Sequence, residues 1–214
     1  MDPFYPVRRF CPLEQKKTTF EIYLSEEHKR ALVEESGISE EVIRARGYYT
    51  EYEPEGLAEL RFDKWQRALV PALVIPIRDV SRRIVLYRIR PDNPRPSTYK
   101  PERLNKYEMP TGARNVIDVP TLALEGLKDI RRPLWICEGE KKADALVSRG
   151  EIAVSLFGVW SWKRDRLPLP DFDAIPMTGR DVYLVFDSDA AENINIRKAL
   201  VCLAHYIRGR IGDA

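Results

Sequence analysis

The sequence predicts an α/β protein: a parallel sheet with flanking helices in the C-terminal part, preceded by an α+β part of two short helices and a basic β-hairpin. Three observations carry this. The runs Leu134–Cys137, Ile152–Phe157 and Val182–Phe186 are apolar but for Ser155, long enough for buried strands and too short for helices. A helix-length segment near Lys141–Ser148, ended by Gly150, separates the first two runs, and another from about Asn193 to Arg208 follows the third. The first and third runs also stop abruptly in carboxylates, Glu138 after one and Asp187-Ser188-Asp189 after the other. In open α/β sheets the carboxyl edge of the strands is where ligands bind.

The elements follow in order. Residues 1–24, with Pro3, Pro6 and Pro12 and no periodicity, predict an extended arm. Ser25 caps a helix running to about Glu35, with Glu26 and Glu27 in its first turn, and Gly37 breaks it. Ser39 caps a second helix that turns Val42 and Ile43 inward and stops at Gly47. Leu57–Phe62 reads as a weak strand. Ala72–Arg78 and Arg83–Arg90 read as strong ones, joined by the short turn Asp79-Val80-Ser81-Arg82 into a hairpin. Pro76 puts the first of these at an edge or a bulge. Alternation in the second puts Arg88 and Arg90 on one outward basic face, opposite Tyr87 and Ile89. Residues 91 to 120 carry six prolines and form a long irregular excursion, a kind of segment that is usually functional. The predicted organisation is an arm (1–24), an N-terminal subdomain with the basic hairpin (25–131) and the parallel-sheet domain (132–214). The last helix presents Leu200, Leu203, Ala204 and Ile207 as its apolar stripe.

Composition removes several classes. With 214 residues, 44% hydrophobic and 32% charged, the chain has the make-up of a globular protein with a real core. No apolar stretch approaches the roughly 20 residues of a membrane span, and no apolar segment follows Arg8 and Arg9 as a secretory signal would require. A cytoplasmic setting is expected. Cys11, Cys137 and Cys202 are too far apart for a zinc ribbon or a disulfide framework, and His28 and His205 are too few for a histidine-rich metal site, so no zinc is expected. The net charge of +2 hides an asymmetry. Between Arg78 and Arg114 ten basic residues face four acidic ones, a local +6. Such a stripe is the footprint of a phosphate-backbone partner or an ordinary solvated hairpin.

Glu138, Asp187 and Asp189 are the candidate catalytic and metal-ligating residues, with Glu140 as an auxiliary ligand. Carboxylates gathered at one sheet edge suit hard divalent cations. Asp187 and Asp189, on alternate positions, point to one side and can share an ion, though Asp and Ser also favour simple polar turns. Lys141 and Lys142 either meet a triphosphate or are solvated. Arg88, Arg90, Lys100, Lys106 and Arg114, interleaved with Tyr87, Tyr99 and Tyr107, are the candidate nucleic-acid contacts. Trp160 and Trp162 stack on bases or, the favoured reading in a proline-bearing connection, cover a core. Cys137 and Cys202 read as core residues.

Glu138-Gly139, Ser155-Leu156-Phe157-Gly158 and Asp187-Ser188-Asp189, each after a strand, resemble the TOPRIM fold of bacterial primases, topoisomerases and some nucleases. Val74-Ile75-Pro76-Ile77-Arg78-Asp79 before a basic strand, Asn105-Lys106-Tyr107-Glu108, and the helices ending at Arg46-Gly47-Tyr48 look like the subdomain that precedes TOPRIM in replicative primases, including primase-like proteins of phages, plasmids and mobile elements. The resemblance covers roughly residues 25 to 210. It implies a DNA-dependent primase core that makes short primers by nucleotidyl transfer, with Mg²⁺ or Mn²⁺, nucleoside triphosphates, a single-stranded DNA template and a replicative helicase partner or fused helicase domain. Two departures stand beside it. Ala190, Ala191, Glu192, Asn193 and Asn195 occupy the stretch where a third aspartate is usual. The fold usually continues into another strand after Ile211-Gly212-Asp213-Ala214, so the chain reads as a domain excised from a longer protein. These departures favour an alternative, a non-catalytic DNA-binding module of a mobile-element replication protein; another is a TOPRIM nuclease, which would use the same acids to hydrolyse rather than extend. The chain is too short for the strand-passage domains of a topoisomerase.

Overall fold

The computed structural model describes residues 23–98, 100–186 and 193–212. The expected arm therefore lies outside the described residues except at its end, where the Tyr23 carbonyl accepts from the Thr50 amide at 2.8 Å. Helix α1 (Glu26–Arg30) starts where the Ser25 hydroxyl accepts from the His28 amide, and continues as a π-helical turn over Ala31–Glu35 that buries Leu32. Helix α2 (Glu40–Arg46) is capped by Ser39 and ended by Gly47 at φ +83°, a backbone angle costly for a side-chain-bearing residue. Strand β1 (Tyr49–Glu51) follows.

The weak strand expected at Leu57–Phe62 is a helix instead. Pro54 occupies the first turn of α3 (Pro54–Glu59), where its fixed φ suits a helix and its missing N–H costs nothing. Leu57 projects from that helix and Phe62 from the turn after it, and both are fully buried. Their apolar spacing serves a helix and a turn, not a pleat.

Strands β2 (Ala72–Arg78) and β3 (Ile84–Pro91) form the expected hairpin, and with β1 they make an antiparallel sheet in the order β1-β2-β3. The sheet is covered on both faces. Leu73, Ile75 and Ile77 enter the main core, while Ala72 and Val74 join Leu57, Phe62 and Ile89 in a second, smaller cluster. Pro76 sits beyond the reach of β1, which pairs only with Ala72 to Val74, and next to the register shift at Ile77/Arg78. The missing N–H of a proline is tolerated at such a local edge.

The C-terminal part is a parallel sheet of β4 (Leu134–Glu138), β5 (Ile152–Leu156) and β8 (Val182–Val185), in the order β5-β4-β8. Helix α4 (Glu140–Val147) makes the crossover from β4 to β5. A two-stranded ribbon, β6 (Lys163–Arg164) and β7 (Leu167–Pro168), projects from the connection to β8. Helix α5 (Ile194–Ile211) packs Ala199, Leu203 and Ile207 inward, four residues apart. Its stripe is therefore rotated slightly from the predicted one, with Ala199 in place of Leu200 at the centre. One apolar cluster runs from Leu32 to Ile207, and both predicted subdomains contribute to it. No described helix is long and apolar enough to cross a membrane.

The two parts are joined by a buried polar node. Arg46, at the end of α2, donates from Nη1 and Nη2 to Asp118 at 2.9 and 3.0 Å, and from Nε and Nη2 to Asp144 of α4 at 2.6 and 2.8 Å. It also reaches the Pro76 carbonyl of β2 at 3.1 Å. Tyr48 donates to Asp144 at 2.5 Å, and Ser155 of β5 to Asp118 at 2.9 Å. All three charged side chains are at most 1% exposed. Burial alone would depress the guanidinium pKa, but Asp118 and Asp144 raise it well above its ordinary value, so Arg46 remains a cation. Removing it strands two carboxylates in the interior. Arg46→Ala is expected to lose about 3–5 kcal/mol of stability, read as a lowered urea midpoint. A midpoint within error of wild type would show that the node contributes nothing to the fold.

Candidate active site

The site is the carboxyl edge of the parallel sheet. Strand β4 is central, and its register pairs Cys137 with Val185 of β8 and Glu138 with Leu156 of β5. Glu138 thus closes β4 where both neighbours also end. Gly139 follows at φ +89° and turns the chain into α4, a geometry that suits glycine. Across the edge, a Cβ built on Gly158 would lie 4.0 Å from Oε1 of Glu138, so the carboxylate sits over the end of β5. Asp187 and Asp189 follow β8 in sequence and lie outside the described residues, so their predicted convergence with Glu138 rests on the strand register alone. Among the described residues no group of three His, Cys, Asp or Glu side chains could hold a metal ion. Cys137 is not a ligand candidate. Burial pushes its thiol up to about 12, and it stays protonated beside the site.

The auxiliary acid Glu140 is a different kind of residue from the one expected. It is 1% exposed and ion-paired with Arg88 of β3. Its carboxylate is therefore committed to a guanidinium, not offered to a cation at the sheet edge. The same contact corrects the outward basic face of β3. Arg88 is 7% exposed, with its guanidinium 4.8 Å from the ring centroids of both Tyr107 and Phe157. The alternation was read correctly, but β3 turns that face toward α4 rather than to solvent, because both faces of its sheet are covered. A buried Arg88 is out of reach of a template phosphate.

The rest of the basic segment divides in two. Lys100, Lys106 and Arg114 are exposed and Arg90 is half-buried, 5.9 Å from the Tyr107 ring. Arg95, by contrast, is paired with Glu108 at 2.7 Å and stacked 4.5 Å over Trp65. Tyr87 belongs to the second cluster, and Tyr99 lies outside the described residues. Lys141 enters α4 beside Arg90, with its ammonium 3.0 Å from the Ser36 hydroxyl. Burial and the Arg90 charge lower its pKa to about 8. Arg90 and Lys141 thus bring two cations together from different elements, with Lys142 next in sequence. Residue spacing exposed Lys141 and Lys142 but could not disclose Arg90 as their companion, since it comes from another sheet.

Trp162 is 6% exposed and stacked on Tyr206 of α5 at 5.3 Å, the core-covering role favoured from the sequence. Trp160 is 43% exposed. Cys137 is buried as expected, whereas Cys202 lies on the exposed side of α5.

Residues 125–212 match the model of a family described as a domain of unknown function, DUF3854. No curated protein matches the sequence. Among solved structures, the chain is similar to the zinc-binding and RNA polymerase domains of the Aquifex aeolicus primase, with a TM-score of 0.55 at 17% identity over 87% of this chain and 48% of that one. It is also similar to a DnaG primase catalytic domain bound to single-stranded DNA, with a TM-score of 0.51 at 18% identity over 82% of this chain and 59% of that one. A third is a DNA primase domain from Pseudomonas aeruginosa, with a TM-score of 0.50 at 17% identity over 83% and 59% of the two chains. The chain thus spans about half the length of the solved Aquifex chain. What these proteins share with it is the fold, a TOPRIM-like α/β core of the kind found in primases.

The position of Lys141 has a consequence for pH. Below about pH 8 the ammonium is charged in folded and unfolded chains alike, and its unfavourable placement is fully felt. Between about pH 8 and its ordinary 10.5 the unfolded chain holds a proton that the folded one has released, so folding gains stability as pH rises through that window. Lys141→Met is expected to lack this gain, seen as a smaller rise in urea midpoint across the window. Identical pH profiles for the two proteins would place the lysine in ordinary solvent.

Proposed function

We propose that this chain is the nucleotidyl-transferring core of a DNA-dependent primase, which joins nucleoside triphosphates on a single-stranded DNA template. The observation that carries the reading is the register of β4 against β8. Glu138 closes β4 one position beyond the Cys137–Val185 pair, and the Asp187-Ser188-Asp189 motif follows two residues after Val185. Glu138, Asp187 and Asp189 are the residues that would hold Mg²⁺ or Mn²⁺. Bound there, such ions neutralise charge on the transferring phosphate and lower the pKa of an attacking hydroxyl.

The chain's own side chains supply positioning and charge, which is most of what phosphoryl transfer asks of a protein. Arg90, Lys141 and Lys142 would be the counter-charge for a triphosphate. Glu138 would take the proton of an attacking 3′ hydroxyl. Lys100, Lys106 and Arg114, exposed along the segment after β3, would meet template phosphates. Arg88 leaves the template set for a positioning role. Its pairing with Glu140 holds the start of α4, and hence Glu138 and Lys141, against β3.

Asp187→Asn is expected to abolish primer synthesis on single-stranded DNA with nucleotides and Mg²⁺ or Mn²⁺, with Glu138→Gln reducing it at least a hundredfold while both variants keep their wild-type thermal midpoint. Synthesis at the wild-type rate by the Asp187 variant would put the chemistry elsewhere. Template degradation without extension would instead identify a nuclease. A separate measurement checks the template track. Replacing Lys100, Lys106 and Arg114 together by Ala should reduce the magnitude of the salt slope of single-strand binding by about 2, at about 0.7 per phosphate contact. An unchanged slope would show these residues to be merely solvated.

A further inference from the structure

The connection between β5 and β8 holds a feature that neither the core nor the acidic edge accounts for. Gly158 and Ser161 close a tight turn, with the Gly158 amide donating to the Ser161 hydroxyl at 2.9 Å and the Ser161 amide to the Gly158 carbonyl at 3.0 Å. The turn throws Trp160 outward, whereas Trp162, two residues on, is locked against Tyr206. The Leu169 amide donates to the Trp162 carbonyl at 2.9 Å and closes the root of the ribbon. Lys163 places its ammonium 4.3 Å from the Trp160 ring and 5.1 Å from that of Trp162, bracing the exposed indole against the anchored one.

The tip has the opposite character. β6 and β7 pair Lys163 with Pro168 and Arg164 with Leu167, leaving Asp165 and Arg166 as a two-residue turn. Both have positive φ, +51° and +68°, in a turn that Asn-Gly or Asp-Gly fills at least cost. An arginine sits instead where glycine is conformationally cheapest. Arg164, Arg166 and Leu167 are all exposed, Leu167 at 69%, and Arg164 is paired with the exposed Asp165 carboxylate at 3.5 Å, which leaves Arg166 as the cation of the turn. A rigid root, an outward indole and a cation on a strained turn together offer a surface for a base and its phosphate.

We infer that this ribbon is a stacking finger for single-stranded nucleic acid: a base lies on Trp160, and Arg166 meets a flanking phosphate. The finger leaves the sheet at Gly158, the residue that faces Oε1 of Glu138. A strand held there passes the acidic edge. The location at a nucleotidyl-transfer centre rests on the reading proposed above, but the stacking itself is read by binding alone.

The experiment is fluorescence anisotropy of a labelled oligothymidylate with the full chain, run beside primer synthesis. Trp160→Leu should weaken binding about tenfold, and Trp160→Phe should restore most of the loss, because a ring stacks and an aliphatic side chain does not. Arg166→Gly should weaken binding several-fold and reduce the magnitude of the salt slope by about 0.7. Its thermal midpoint should be unchanged or higher, since glycine adopts the positive φ freely, and that combination separates lost contact from lost folding. Wild-type affinity in Trp160→Leu, or no binding by the wild type, overturns the finger. If the wild type makes no primer but Trp160→Leu still loses affinity, the finger stands and the transferase reading fails. Active wild type with an unaffected Trp160→Leu gives the reverse.

Discussion

Arg46 lies between Asp118 and Asp144 with every guanidinium nitrogen engaged, and the elements it touches come from both parts of the chain. It projects from α2, beside the antiparallel sheet; Asp144 belongs to α4 and Asp118 bridges to Ser155 of β5, in the parallel-sheet part. One cation facing two anions in the interior is expensive to desolvate, and only saturated hydrogen bonding offsets that cost. Tyr48, Ser155 and the Arg78 amide supply the remaining donors. Apolar side chains of similar volume would also fill the space, yet they would leave the angle between the two sheets free to slide. Bidentate pairing on both carboxylates leaves little such freedom.

The placement of the candidate site follows from that constraint. With α4 held to α2 through Asp144, its N-terminal turn is brought against β3, and Arg88 completes the contact through Glu140. Arg90 from β3 and Lys141 from α4, far apart in sequence, then come side by side. This pair of cations is a product of the interface, belonging to neither sheet alone. The ribbon after β5 is anchored on α5 through Trp162 and Tyr206.

Much of this architecture was legible in one dimension because its causes are local. Ser25, Ser39 and Gly47 mark helix ends through hydrogen bonds made within a few residues, and the runs of β4, β5 and β8 are apolar but for Ser155, the pattern of strands in a parallel sheet. Leu57–Phe62 failed because a short apolar spacing fits a strand or a helix equally, and the first-turn Pro54 outside that window was the signal that decided it. Arg88 and Glu140 failed for a different reason. Charge in a strand or a helix start is ordinarily solvated, and nothing in the sequence announces that two such charges 52 positions apart will be buried against each other.

The sequence by itself determined the order of the elements, the existence of a parallel sheet and the residues that end its strands, because these depend on periodicity, capping and run length. It also disclosed Glu138 as a candidate site residue, since a carboxylate closing a buried strand is conspicuous in the chain itself. Only the tertiary structure decided which charges are buried in pairs and which stay open. Asp118, Asp144 and Arg46 look like any other charged residues until they are found at most 1% exposed. Arg88 and Arg90, two positions apart on one strand, have different fates because one meets Glu140 and the other lies beside Lys141. Burial and partner choice are properties of packing between distant segments, and no local pattern encodes them.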